Sequence, residues 1–206
     1  MPQNGSFLAF DTSTDVMSIA LTDGVRAWQH SGPGGAKAST TLVPAILALL
    51  KESGLALGDL RAIAVGRGPG SFTGLRTACA VAQGLAFGAR GSNGSMGIPV
   101  LPIHTLLALA EEARLQKESL FITALLDARM DEMYVQPYAC HQGILSPLGD
   151  CKLIRPEHLA PDGKTLYAGN VFEVYRSRLP DGLNSVTCLP SATAMLRLAP
   201  RLAASG

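Results

Sequence analysis

The sequence has few aromatic residues, little net charge and no concentration of basic residues. Aromatic residues make up 5% of the 206 residues and hydrophobic residues 47%, so we expect an aliphatic core of useful size. The formal net charge is +1, and no run of Lys or Arg occurs. This balance argues against a nucleic-acid-binding surface on this chain alone. A role with nucleic acid would therefore come through a partner.

Membrane segments and redox motifs are missing as well. No apolar run approaches the roughly 20 residues of a membrane-spanning helix. Residues 1–10 lack a basic region followed by an apolar one, so we expect no signal peptide. The four cysteines form no CxxC motif, which is typical of a reduced, cytosolic protein.

The residue patterns of common enzyme classes are also missing. The four histidines form neither HxxxH nor HExxH, and the residue four positions after His104 is Ala108. A metal site needs at least two such ligands converging. No serine lies in a GxSxG motif. We therefore expect no metal site and no catalytic residue in this chain.

The most distinctive segment, residues 65–88, joins a glycine-rich turn to a long helix of small residues. The turn lacks the GKS or GKT of a phosphate-binding P-loop and does not fit GxGxxG. A glycine turn at a helix N-terminus can still hold a phosphate or carboxylate, or it can serve only to orient the helix. The candidate phosphate contacts are Gly68, Gly70 and Ser71.

A second candidate for phosphate binding is the polar segment that follows the first predicted strand. Asp11, Thr12 and Ser13 could hold a hydrated Mg²⁺ and phosphate oxygens. Equally, these residue types cap their own backbone in a hairpin turn. Composition does not decide between the two alternatives.

Two predicted helices, at residues 39–51 and 73–87, are apolar on more than one face. A helix of this kind needs cover nearly all round. Each could pack only on its own sheet, or their outer faces could form a dimer seam, which we favour. Ala80, Gly84 and Gly88, spaced four residues apart, would let a second backbone approach closely.

The order of predicted elements indicates a mixed sheet covered by helices. Strands are predicted at residues 6–10, 16–22, 25–30, 62–65 and 99–103, with an Asp23-Gly24 type I′ turn between the second and third. The resulting order βββαβαβ predicts a mixed five-stranded sheet. Residues 91–97 are predicted as a loop.

Beyond residue 102 the pattern starts again. A helix at 105–116 and a strand at 120–126 lead to Asp127, which mirrors Asp11 and indicates an internal repeat. Further elements are predicted at residues 151–154, 156–159, 165–168, 171–179 and 192–203.

Several sequence blocks resemble the bacterial TsaB (YeaZ) family. They are FDTST, LVPAILALL, GRGPGSFTGLRTACAVAQGLAFG, LLDARMDEMY and LPSATAMLRLA, in this order. The resemblance implies an α/β, two-lobed actin-like, Hsp70 and sugar-kinase (ASKHA) fold. Each lobe would be ribonuclease-H-like with a mixed five-stranded sheet, and the second lobe would be reduced. We expect lobes at residues 1–102 and 103–206, with the last helix packing back on the first.

The resemblance also implies a function. Members of this family act in making N6-threonylcarbamoyladenosine at position 37 of tRNA, as a non-catalytic scaffold for a TsaD-type transferase. A TsaE-type ATPase would join the complex, tRNA would bind only through it, and the chain alone would be a homodimer. No cofactor is required, although ATP or ADP with Mg²⁺ could bind at the partner interface. The implied dimer and partner contacts are Leu42, Ile46, Leu49, Leu75, Arg76, Cys79, Val81 and Ala82.

Two alternative functions stay open, and the sequence departs from the family pattern in three places. The alternatives are a small ATP-dependent phosphotransferase of the same fold, using Asp11 or Asp127, and a peptidase-like relative. Ala38-Ser39 stands where the family commonly has a histidine, and residues 91–97 are an insertion. The family's final proline–tyrosine–leucine–arginine tail does not occur in this sequence.

Overall fold

The computed structural model describes residues 5–89 and 97–204. The chain divides into two compact units, one formed by Met1–Thr105 with Ser191–Gly206 and the other by Leu106–Pro190. We expected the division after residue 102; it follows Thr105, and the last helix belongs to the first unit. The predicted loop at residues 91–97 lies outside the described residues except for Gly97.

Through residue 103 the elements follow the predicted order βββαβαβ, whereas the strands at residues 144–147 and 185–187 were not predicted. The first part of the chain forms β1 (Phe7–Asp11), β2 (Val16–Thr22), β3 (Ala27–Pro33), α1 (Ala38–Ser53), β4 (Ala62–Gly66), α2 (Phe72–Gly88) and β5 (Val100–Ile103). The chain continues through α3 (Thr105–Gln116), β6 (Phe121–Arg129), β7 (Glu132–His141), β8 (Ile144–Pro147), β9 (Lys152–Ile154), β10 (Leu166–Gly169), α4 (Val171–Val174), β11 (Ser185–Thr187) and α5 (Ala192–Ala204). Among the described helices, none is long and apolar enough to cross a membrane.

The first unit contains the expected mixed five-stranded sheet, in the order β3-β2-β1-β4-β5. β1 pairs antiparallel with β2 and parallel with β4. Alternate side chains of the strands, such as Leu8 and Phe10, pack with α1 and α2 in one aliphatic core. Helix α5 contacts β1, β2, β4 and β5. Because successive strand residues point to opposite faces, α5 covers the face that α1 and α2 leave open.

One turn of the first unit differs from the prediction. The connection from β2 to β3 is not a two-residue type I′ turn, because Thr22 pairs with Ala27 and four residues intervene. The Asp23 carboxylate accepts hydrogen bonds from the backbone amides of Val25 and Arg26, which stabilises this longer loop. Helix α1 begins without a side-chain cap, and the Thr40 hydroxyl donates to the Lys37 carbonyl oxygen.

The second unit has six strands, one more than expected. Its sheet runs β11-β10-β6-β7-β8, and β9 also pairs with β7. Since β6 occupies one edge of β7, β8 and β9 lie one after the other along its opposite edge. The order β8-β7-β6-β10-β11 repeats β3-β2-β1-β4-β5. The α/β fold with two mixed sheets is therefore confirmed, and the strand order supports the internal repeat.

The two faces of the second sheet are covered unequally. Residues of α3, including Leu106 and Leu109, pack on one face. The other face carries α4, which has four residues instead of the predicted nine. The helix ends because Tyr175 leaves helical geometry (φ −114°, ψ 25°). Its hydroxyl donates to the Asp127 carboxylate at 2.7 Å.

The β6–β7 hairpin ends in a turn of unusual conformation. Arg129 pairs with Glu132, so Met130 and Asp131 form a two-residue turn. Both residues have positive φ, 51° and 63°, as a type I′ turn requires. Arg178 fixes this hairpin by pairing with Asp131 at 2.8 Å. Residues other than glycine, asparagine and aspartate are strained in this region of backbone space.

We predict that Met130→Gly stabilises the protein by about 1 kcal/mol, because glycine adopts positive φ without steric cost. Met130 is 92% exposed, so removing its side chain costs little packing. Met130→Ala is the matched control, since alanine removes the same side chain without relieving the backbone. Chemical denaturation of both variants should show a gain for glycine alone, and equal stabilities would contradict the interpretation.

Candidate functional site

The loop after β1 packs directly into the glycine-rich turn. The Ser71 amide donates to the Ser13 carbonyl oxygen at 2.7 Å. The Thr12 hydroxyl donates to the Gly74 carbonyl oxygen, also at 2.7 Å. The structure thus brings together the two candidate phosphate-binding segments, and they bind each other.

The glycines of the turn are required by this contact. A β-carbon on Gly70 would overlap Ser13, one on Gly74 would overlap the Thr12 carbonyl, and one on Gly66 would overlap the Asp11 carboxylate. The Ser71 hydroxyl caps α2 by accepting from the Gly74 amide at 3.4 Å. The glycines therefore make room for the loop after β1, and this packing supports a turn that orients α2; phosphate binding at Gly68, Gly70 and Ser71 stays a prediction.

Asp11 is a buried carboxylate at the carboxyl end of β1, with 1% of its surface exposed. One oxygen, Oδ1, accepts from the Ser13 amide at 2.8 Å and the Ser13 hydroxyl at 2.5 Å. The other, Oδ2, accepts no hydrogen bond from the described residues. Burial raises the pKa of Asp11, and the hydrogen bonds that Ser13 donates oppose this rise.

Two more buried polar atoms lie where the chain leaves β5. The His104 Nδ1 and Thr105 Oγ1 atoms have no hydrogen-bond partner among the described residues. Burial, and then the charge of Arg67, lowers the pKa of His104 and favours its neutral form. Across residues 5–89 and 97–204, no three His, Cys, Asp or Glu side chains are grouped so that they could hold a metal ion.

Asp127 occupies the corresponding place in the second unit, but its carboxylate is engaged differently. Its Oδ1 atom accepts from the Tyr175 hydroxyl at 2.7 Å and from the Arg129 amide at 2.9 Å. Burial raises the pKa of Tyr175 to about 12, so this hydroxyl remains a donor at neutral pH. Asp127 therefore secures the β6–β7 hairpin to the segment after α4.

Half of the predicted partner contacts lie in the core and need correction. Leu42, Ile46, Leu49 and Ala82 are buried in the core of the first unit. They point to the sheet, because α1 and α2 also need an inward apolar stripe. Leu75 and Val81 are half-buried, whereas Arg76 and Cys79 are exposed.

The exposed surface of α1 and α2 contains apolar residues that the sequence prediction missed. Phe87 is 81% exposed, Phe72 68% and Leu47 51%, and Val43 is also exposed. On α2, the exposed phenylalanines are separated by small residues. We define the helix face as the following exposed residues of α1 and α2: Val43, Leu47, Phe72, Arg76, Cys79, Ala80, Gln83, Gly84, Phe87 and Gly88. Arg76 and Gln83, the longest polar side chains of α2, lie on this outward side, and their spacing would have identified it.

Comparisons with known proteins agree on one family. The family model described as "TsaD: tRNA N6-adenosine threonylcarbamoyltransferase" matches residues 33–205. The chain is 40% identical over 132 residues to the tRNA threonylcarbamoyladenosine biosynthesis protein TsaB of Haemophilus influenzae and 36% identical over 131 residues to that of Escherichia coli. These matches cover 64% of this chain and 53% and 54% of the relatives. The chain thus spans about half the length of these curated relatives.

A solved structure matches almost the whole chain. YeaZ from Pseudomonas aeruginosa superposes with a TM-score of 0.85 at 36% sequence identity. The match covers 98% of this chain and 93% of that one. It therefore includes both units, each with its own sheet.

We predict opposite effects for alanine at two glycines of α2. Gly74→Ala should destabilise the protein by about 2 kcal/mol or more, since the new methyl group overlaps the Thr12 carbonyl. Gly84→Ala should stabilise by about 1 kcal/mol through helix propensity, because no described neighbour lies within 4 Å of its β-carbon. Thermal and chemical denaturation measure both, and equal effects would refute the required close approach at Gly74.

We also predict a pH-dependent effect of Asp11→Asn. The folded state raises the pKa of Asp11 above its ordinary value, so the folded state binds this proton more tightly and loses stability as the pH rises. Asparagine removes this loss. The variant should gain stability relative to the wild type at pH 7, and the gain should shrink as the pH falls toward the ordinary pKa of 3.8. A pH-independent difference would contradict the assignment.

Proposed function

Because the chain belongs to the TsaB/YeaZ family, we propose that it is a non-catalytic subunit of the machinery that makes N6-threonylcarbamoyladenosine in tRNA. It would bind and activate a TsaD-type transferase, and the reaction would occur on that partner. The observation that carries the proposal is the helix face, an apolar surface on the two helices that the family resemblance links to partner binding.

The composition of the helix face suits a protein partner. Phe72 and Phe87 lie near opposite ends of α2, and both are largely exposed. The single charge on α2, Arg76, lies with its guanidinium 3.8 Å from the centre of the Phe72 ring. Aromatic and Arg side chains of this kind contribute most of the binding energy in protein interfaces.

The middle of the helix face suits close helix packing. Ala80, Gly84 and Gly88 follow one another at intervals of four residues and are exposed. A β-carbon on Gly84 or Gly88 would meet no described neighbour within 4 Å. A partner helix can therefore approach the α2 backbone between the two phenylalanines. The same surface would serve a homodimer when the transferase is absent.

The contacts of the two candidate acids support a scaffold rather than the phosphotransferase alternative. Asp11 is packed against Gly66, and the adjacent turn is filled by Thr12 and Ser13. Asp127 accepts hydrogen bonds that hold its own hairpin. We therefore propose that any ATP or ADP with Mg²⁺ binds on the partner's side of the complex.

The remaining members of the assembly follow from the same proposal. A TsaE-type ATPase would join the complex, and tRNA would be bound by the complex rather than by this chain, whose net charge is +1. We propose that it works in the cytoplasm. The peptidase alternative gains no support, because no serine of the sequence lies in a GxSxG motif and, over the described residues, no three His, Cys, Asp or Glu side chains could together hold a metal ion.

We predict that Phe87→Glu weakens binding to the TsaD-type transferase of the same organism by about tenfold or more, since a carboxylate replaces an interface aromatic. Val25→Glu is the matched control, because Val25 is equally exposed but lies in the β2–β3 loop. Calorimetry with the purified partner measures both affinities. A strain depleted of its own subunit should recover threonylcarbamoyladenosine in tRNA with the wild type and the control, but not with Phe87→Glu.

The tRNA measurement tests the proposed function, and the affinity measurement tests whether the helix face is the binding surface. If the wild type fails to restore the modified nucleoside, the proposed function is wrong. If Phe87→Glu binds the transferase as well as the control does, the function stands and the helix face is the wrong surface. Ala82 is unsuitable for this test, because it is buried and a charge there would damage the core.

A further inference from the structure

The second unit contains a cavity that the proposed function does not use. Its volume is about 730 Å³, within the range of small-ligand sites. It lies on the face of the sheet opposite α3, and its floor includes Phe121, Thr123, Val135, Pro137 and Tyr167. Residues of three strands, β6, β7 and β10, therefore form one wall of the cavity.

The cavity exists because the second face of the sheet is covered by a long helix in the first unit and by a short one in the second. In the first unit, the 13 residues of α5 cover the second face of the sheet. In the second unit, the four residues of α4 pack near Leu125 and Met133. The amino-terminal part of β6 is covered instead by residues 148–164, and the cavity lies beneath them.

The cavity is separate from the polar residues at the carboxyl ends of the strands. Thr123 precedes Asp127 by four positions on the same strand. At about 3.3 Å per residue, these positions lie roughly 13 Å apart. A ligand bound over Thr123 would therefore lie away from the Asp127 carboxylate.

The cavity lining is apolar at the floor and carries charged side chains of both signs at the rim. Val135, Pro137 and Leu159 supply aliphatic surface, while Lys152 and Lys164 line the opening. Neither ammonium group has a hydrogen-bond or ion-pair partner among the described residues. His158 adds a third nitrogen-bearing side chain.

The two acidic residues on the cavity lining, Asp150 and Asp162, differ in their hydrogen bonding. The Asp162 carboxylate is occupied, since it accepts from the Lys164 amide at 3.0 Å and from the Thr165 amide and hydroxyl, both at 2.9 Å. The Tyr167 hydroxyl accepts from the Asp162 amide at 3.3 Å. The hydroxyl hydrogen of Tyr167 is not used in this bond and can be donated to a ligand in the cavity. Burial raises the pKa of Tyr167, which keeps this hydrogen in place at neutral pH. Asp150 is the remaining acid on the lining.

We propose that this cavity binds a small organic anion with an apolar, ring-sized body and one carboxylate, sulfonate or phosphate group. The apolar body lies on Val135 and Pro137, and the anionic group lies between Lys152 and Lys164. This inference goes beyond the proposed function, which requires no ligand in the second unit.

Anilinonaphthalene sulfonate tests the proposal, because it combines an apolar ring system with a single anionic group. Uncharged phenylnaphthylamine has the same rings without the sulfonate. In fluorescence titrations of the full chain, Lys152→Glu with Lys164→Glu should weaken binding of the sulfonate by about tenfold and change binding of the uncharged dye by less than about twofold. Lys37→Glu with Lys51→Glu makes the same change of charge in the first unit and should leave both affinities unchanged.

A second variant and a map of the binding site complete the test. Ala160→Trp places a ring at the cavity mouth and should weaken both dyes by about tenfold. In heteronuclear NMR, the sulfonate should shift the amide signals of Thr123, Gly149 and Tyr167. The proposal is overturned if the two double variants weaken binding equally, or if the shifts fall on the helix face instead.

Discussion

The structure of the first unit depends on how closely the loop after β1 approaches the start of α2. The Thr12 carbonyl lies over Gly74 and Ser13 lies over Gly70, at separations that exclude a β-carbon. Because this contact sets where α2 begins, it also sets which side of the helix is buried. Ala78 and Ala82 face the core. The aromatic residues at both ends of α2 consequently face outward, where a partner can reach them.

The two units share a strand order but differ in how their sheets are covered. Each places three parallel strands beside an antiparallel hairpin pair. The first sheet is covered by helices on both faces, whereas the second has a full helix, α3, on one face and the short α4 on the other. This difference lets one topology serve two purposes. In the first unit it supports a rigid outer surface on two helices, and in the second it leaves space beside the sheet.

The sequence predicted the parts of the fold that depend on local patterns. Apolar runs identified the strands of the first sheet, and apolar residues on the helices at residues 39–51 and 73–87 identified α1 and α2. Contacts distant in sequence were harder to predict. The Asp23-Gly24 pair suggested a tight turn, but the Asp23 side chain binds the backbone and lengthens the loop. Leu42 and Ala82 were assigned to the partner surface, because an apolar residue pattern does not reveal which side of a helix meets the sheet. The cavity depends on the shortness of α4, which Tyr175 ends through its bond to Asp127.

The position of α5 in the chain affects how the protein emerges from the ribosome. The Ala192 amide donates to the Ser18 hydroxyl across 174 positions of sequence. At a synthesis rate of about 5–20 residues per second, those 174 positions take roughly 9–35 s to translate. During that interval the nascent first unit has β1 and β2 but lacks the helix that covers them. Its sheet is open to solvent or to a chaperone until α5 is translated, so the first unit is completed only after the second unit has been synthesised.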